Sequence, residues 1–288
     1  MAHGPLKSAF FLLCIPLAIT LVFYFISHTG DDEISLKDDL VMAEMAAKSR
    51  DIGDAEMFYE RYLRKNPTGD QRWNVWQNLL NISLNIRQDK ITAKDYLEIM
   101  LLEYDEEPVK RRDIQMELAA VSNDLRMYER AVTLWEKLVE DEGTPDEDKA
   151  AFYRALSHAY MRRLEFTMAT DVLELCLKLN VSLSTKADCL YDVGEAEMIT
   201  GNMAESEKAL RSLLAMPEAT PQRRVLAVFM LADVLEQQNR PEEAVKLFES
   251  IRESYPNTRV VEMRIAALRG KQAPKKPDVV PVRKRTSY

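Results

Sequence analysis

The residues with chemistry to offer are few. Three histidines stand at His3, His28 and His158, and three cysteines at Cys14, Cys176 and Cys189. His158 could serve as a general base, yet no nucleophile lies at a spacing that pairs with it. No CxxC and no Cys/His ligand spacing occurs, so no metal centre is legible. Cys176 and Cys189 lie 13 residues apart within helical patterns. They could join in an oxidising compartment, but the reading adopted is two unpaired cysteines buried on apolar helix faces. Acidic residues cluster over Glu103–Glu107 and at Asp141, Glu142, Asp146, Glu147 and Asp148. Neither cluster has the alternating ligands, sixth-position glycine and closing glutamate of a calcium loop. Both read as solvated loops between helices. No glycine-rich phosphate loop, HExxH or GxSxG is present. Catalysis needs a convergent acid, base or nucleophile, so the expectation is a non-enzymatic protein without cofactor or metal. Asn81-Ile82-Ser83 and Asn180-Val181-Ser182 match the glycosylation pattern at about the chance frequency for such a length.

The elements that position these residues are helical. Of 288 residues only 8 are glycine, against 14 methionines and 12 prolines. Average usage would give roughly 20 glycines, so a turn-rich sandwich or barrel is excluded. An apolar fraction of 47% excludes wholesale disorder. The net charge of −8 is uneven. Residues 271–288 carry Lys271, Lys275, Lys276, Arg283, Lys284 and Arg285 against Asp278, which is +5. With Lys7 counted separately, residues 27–270 are left at −14. So acidic a body repels phosphate, which argues against nucleic acid as its partner. The basic, proline-containing stretch 271–288 has almost no large apolar side chains and is expected to be disordered.

Ala9 to Ile26 is an uncharged apolar run of 18 residues. At about 1.5 Å per residue it spans roughly 27 Å, the width of a bilayer core. The Ser27-His28-Thr29-Gly30 that follows is a poor cleavage site, so an uncleaved transmembrane anchor is favoured over a signal peptide. The slight excess of positive charge before it puts residues 1–8 in the cytoplasm and the body outside it. Residues 27–35 then form a linker.

The body repeats. Ala55, Ala93, Ala131, Ala169, Ser206 and Ala244 are separated by 38, 38, 38, 37 and 38 residues. Four residues after each comes a large apolar side chain: Tyr59, Leu97, Trp135, Leu173, Leu210 and Phe248. Seven after comes another: Tyr62, Met100, Leu138, Cys176, Leu213 and Ile251. Apolar–small pairs precede them at Met42-Ala43, Leu118-Ala119, Leu156-Ser157, Val193-Gly194 and Leu231-Ala232, with Leu80-Asn81 the one departure. A small side chain lets two antiparallel helices cross closely, while positions +4 and +7 fill the groove beside it. Each unit is a helical hairpin that must stack on its neighbours to bury its apolar face. Unit two is the weakest match, and its register could slip.

At this point the chain resembles the tetratricopeptide repeat family. The unit from Val225 to Asn257 carries the resemblance best, with Leu231-Ala232, Leu235, Asn239-Arg240-Pro241, Ala244, Phe248, Ile251 and Tyr255-Pro256. Units starting near 36, 74, 112, 150, 187 and 225 cover residues 36–258, and 259–270 reads as a capping helix. The spacing exceeds the family's usual repeat of about 34 residues, so helices or connections are longer. The resemblance implies an all-α, right-handed α-α superhelix of about six hairpins behind the membrane anchor. It also implies that the first helix of each hairpin lines a concave, partner-binding surface. The family's register puts Asn78, Met116, Asn123, Arg154, His158, Tyr191, Glu195, Met198, Phe229 and Asp233 on that surface. Arg154, His158 and Arg162 share one helical face and read as a basic spot. Aromatic and Met side chains there suit a peptide segment, although Met116, Tyr191 and Phe229 serve equally well as core between repeats. The carboxylate clamp of co-chaperone members is not supported, because Leu40, Asn78, Met116, Arg154, Tyr191 and Phe229 offer one cation at its place.

The resemblance extends to bacterial cell-envelope repeat proteins, to whose units Tyr255-Pro256-Asn257-Thr258 is similar. It implies a membrane-tethered scaffold or adaptor, in envelope assembly or translocation, for a protein partner or membrane complex subunit. Two alternatives stay open: a holdase-type chaperone for unfolded envelope proteins, and a tether through the basic C-terminal tail. Self-association into a homo-oligomer is a further open alternative.

Overall fold

A computed structural model describes residues 39–272, and every regular element among them is helical. The expected anchor over 9–26 and most of the basic tail lie outside the described residues. Among the described residues no helix is long and apolar enough to cross a membrane. The chain divides into two compact units between Leu125 and Arg126.

In the first unit, helix α1 (39–48) precedes α2 (Ile52–Lys65), α3 (Arg72–Asn81), α4 (Lys90–Glu103) and α5 (Pro108–Asp124). The second unit holds α6 (Tyr128–Glu140), α7 (Asp146–Arg162), α8 (Phe166–Lys178), α9 (Leu183–Thr200), α10 (Met203–Ala215), α11 (Pro221–Gln237), α12 (Pro241–Ser250) and α13 (Thr258–Gln272). Start signals are local. Asp51, Asp89, Ser182 and Thr220 cap α2, α4, α9 and α11 by accepting backbone N–H groups. Proline opens α5, α11 and α12, where its missing N–H costs nothing.

The stop signal inside each hairpin recurs as regularly as the alanines. Arg50, Gln88, Arg126, Leu164, Gly201 and Asn239 all have positive φ. Each lies five residues before its aligned small residue. The next N–H then reaches back to close the helix end, as from Asp51 to Ala46, Glu165 to Tyr160, Asn202 to Glu197 and Arg240 to Leu235. Only Gly201 among the six takes this conformation without a Cβ penalty.

The small residues mark the crossings. Ala55, Ala93, Ala131, Ala169, Ser206 and Ala244 are fully buried, and every +4 and +7 partner is buried with them. A close approach falls at Gly194 in α9. A Cβ there would lie 2.7 Å from Leu210 Cγ, and Ser206 Oγ donates to the Gly194 carbonyl at 2.6 Å.

Three sequence readings need correction. The second repeat hairpin departs from the pattern because α3 widens into a π-turn over Ile82–Ile86, closed by Arg87 N to Ile82 O at 2.9 Å. Asn81 is exposed there, and the buried small residue is Ser83, whose Oγ donates to Leu79 O at 2.8 Å. The second correction concerns the cysteines. Cys176 of α8 and Cys189 of α9 are joined in a disulfide, with Cα atoms 6.2 Å apart and both side chains buried beside Ala150. Position +7 of one unit faces the first helix of the next, and a four-residue connection, 179–182, brings Cys189 round to meet it.

The acidic clusters are not merely solvated loops. Asp146 and Glu147 open α7 and accept the N–H groups of Asn180 (3.0 Å) and Ser182 (2.6 Å), holding the start of α9. Glu103 takes both Arg72 (2.6 and 2.5 Å) and the Trp76 indole N–H (3.0 Å).

Candidate functional site

The first helices of the hairpins carry the residues that sequence reasoning nominated. In the first unit, Asn78 on α3 and Met116 on α5 are exposed. Asn123, near the end of α5, is half-buried, and its Oδ1 is a buried acceptor without a hydrogen-bond partner.

In the second unit, α7, α9, α11 and α13 present a ladder of opposite charges. Arg154 Nε on α7 donates to Asp192 Oδ2 on α9 at 2.5 Å, and the same guanidinium stands 3.6 Å from Asp188. Asp188 in turn accepts from Arg223 of α11 at 2.5 Å. One rung further, Arg264 of α13 pairs with Asp233 and, at 2.6 Å, with Glu236 of α11. Asp192 is the best buried member, its side chain only 4% exposed. A buried carboxylate left without a partner would be strongly destabilising, so Arg154 is required where it stands. The expected basic spot of Arg154, His158 and Arg162 is therefore neutralised at one end. His158 stays exposed, with Nε2 3.8 Å from Asp192 Oδ2, and Arg162 is exposed.

The aromatics are half-buried and serve the core as well as the surface. Tyr191 packs on the apolar core of α9–α13 beneath the Arg223 guanidinium, 4.5 Å from its ring centre. Burial, helped by Glu195, pushes the Tyr191 phenol up from its ordinary value. Phe229 stacks on Tyr255 at 4.5 Å and meets Phe248 edge-on at 5.2 Å. Met198 packs against the same core. Burial raises the Asp233 carboxyl above the ordinary range despite Arg264. Glu195 is half-exposed beside Asp192, on the side facing His158.

Sequence reasoning missed Asp188, Asp192, Arg223 and Arg264. A signal existed: Asp192 follows Arg154 by one full repeat of 38 residues. Residues one period apart sit at matching heights on neighbouring helices, so opposite charges there meet.

The tetratricopeptide repeat family model matches residues 191–257. Residues 191–257 carry tetratricopeptide repeats. No curated protein matches the chain's sequence. Among solved structures, a tetratricopeptide repeat protein from Parabacteroides merdae is 20% identical, with a TM-score of 0.55, covering 82% of this chain and 85% of its own. PilW, described as a widely conserved type IV pilus biogenesis factor, is 10% identical with a TM-score of 0.54, covering 80% and 97%. Nearly identical TPR-like repeats from Podosopora anserina, named after kinesin light chain, are 17% identical with a TM-score of 0.53, covering 72% and 99%. These likenesses concern the tetratricopeptide fold itself.

Proposed function

We propose that this tetratricopeptide protein is a non-enzymatic, membrane-tethered scaffold that presents the first-helix face of its second unit to a protein partner. The carrying observation is that face. Arg154, His158, Tyr191, Glu195, Phe229 and Asp233 rise from successive helices as exposed or half-buried aromatic and charged groups, with Arg154 and Asp233 held in the ion-pair ladder. Such a preorganised surface loses little conformational entropy when a peptide segment docks. The charges select a complementary partner and the aromatics supply contact area. The apolar run 9–26 supports the tether, which confines the scaffold to a membrane surface and raises its effective concentration there. The buried disulfide supports placing the body in an oxidising, extracytoplasmic compartment.

The test is photo-crosslinking in the native membrane from positions 158, 195 and 229. One reproducible adduct, lost when Tyr191 is replaced by Ala, is the expected result. A broad set of unfolded clients would replace the scaffold with a holdase. Loss of the adduct on deleting residues 271–288 would move binding to the basic tail, and no adduct from any position would remove this face from consideration.

A further inference from the structure

Sequence spacing offers no metal centre, but ligands drawn from two repeats leave no local spacing to read. His158 on α7 and Asp192 and Glu195 on α9 each bring a ligand atom to a point where all lie within 4.8 Å of one another. Asp192 and Glu195 are three apart, so their carboxylates share one face of α9. The packing of α7 on α9 sets the imidazole opposite them. His158 Nε2 stands 3.8 Å from Asp192 Oδ2, close to the separation of two ligands on one small cation.

We propose that His158, Asp192 and Glu195 form a divalent transition-metal site of the zinc class. The imidazole is a borderline donor, so with two carboxylates it suits Zn²⁺ better than Ca²⁺ or Mg²⁺, which prefer all-oxygen shells. Three protein ligands leave a coordination position open to water. The exposure of His158 provides the way in. The ion also changes the ladder. Asp192 Oδ2 holds Arg154 in the free protein, and a dication on that carboxylate repels the guanidinium. Asp188, already 3.6 Å from Arg154, accepts it as Asp192 turns to the metal. The metal thus exchanges one rung of the ladder for another, without leaving a charge unpaired. The inference rests on these three residues and stands whether or not the surrounding face binds a protein.

The experiment is calorimetric titration of Zn²⁺ into the full, tag-free, metal-stripped chain, beside His158→Ala and Glu195→Gln. His158 is exposed and Glu195→Gln is isosteric, so both variants keep the fold, which circular dichroism checks. The expected result is one equivalent of Zn²⁺ bound, with affinity at least about tenfold weaker in each variant. Uptake that is absent from the wild-type chain, or equal in all three proteins because His3, His28 or scattered acids carry it, would overturn the site.

Discussion

Breaking the Cys176–Cys189 bond is the perturbation whose size the structure sets most directly. The bond closes a loop spanning 13 residues of separation, through the turn between α8 and α9. Constraining a loop of that length in the unfolded chain is worth about 3 kcal/mol. Both sulfurs are buried beside Ala150, so nothing on the surface substitutes for the link. For a unit of this size each kcal/mol moves the melting midpoint by about 2–4 °C, so reduction should lower it by roughly 6–12 °C. The assay compares the same chain refolded oxidised and refolded under reductant, each melted by circular dichroism. Comparing two forms of one sequence avoids the cavity that a Cys→Ala pair would add. Thiol labelling of the unfolded oxidised protein should reach Cys14 and neither Cys176 nor Cys189. Equal midpoints for the two forms, or labelling at all three cysteines, would refute the pairing and, with it, the compartment argument.

Two further outcomes test the hairpin turns and the first unit. Leu164 is 73% exposed and holds φ at 64°, so Leu164→Gly relieves αL strain at little packing cost. It should stabilise the second unit by about 0.5–1 kcal/mol in a denaturant titration, and a lower midpoint would contradict the turn geometry. Burial by itself raises the Glu103 carboxyl, but the hydrogen bonds from Arg72 and Trp76 bring it below its ordinary value of 4.5. A depressed folded value contributes stability that is present above the unfolded value and lost as pH falls through the folded one. Glu103→Gln should therefore cost about 2 kcal/mol at pH 7, with the gap from wild type closing below about pH 4.5, as followed by urea unfolding across pH. A constant gap across that range would show that Glu103 acts through packing rather than charge.

Much of the fold was legible because helix crossings impose a rule on single residues. A crossing admits only a small side chain, and six equally spaced ones cannot arise from unrelated helices. The same period runs through the positive-φ residues, yet five of the six are not glycine, and composition hides them. Arg50, Gln88, Arg126 and Leu164 look like ordinary helix residues until the chain must reverse. The expectations for Tyr191 and Phe229, surface or core, resolve into both at once. Each has one side against the α9–α13 core and another toward solvent, a division that lies within a single side chain.

The sequence by itself determined the helical class, the period, the crossing residues and their apolar partners. These follow from 3.6-residue periodicity and from the volume of one side chain at a time. It also marked the apolar run at 9–26 and the charge split between body and tail. Only the tertiary structure decided the pairing of Cys176 with Cys189, the π-turn at Ile82–Ile86 and the charge ladder through Asp188, Asp192, Arg223 and Arg264. It also decided the meeting of His158 with Asp192 and Glu195. Each of these depends on how far one repeat is rotated and shifted against the next. That displacement is a sum over many packed contacts, and no local run of residues records it.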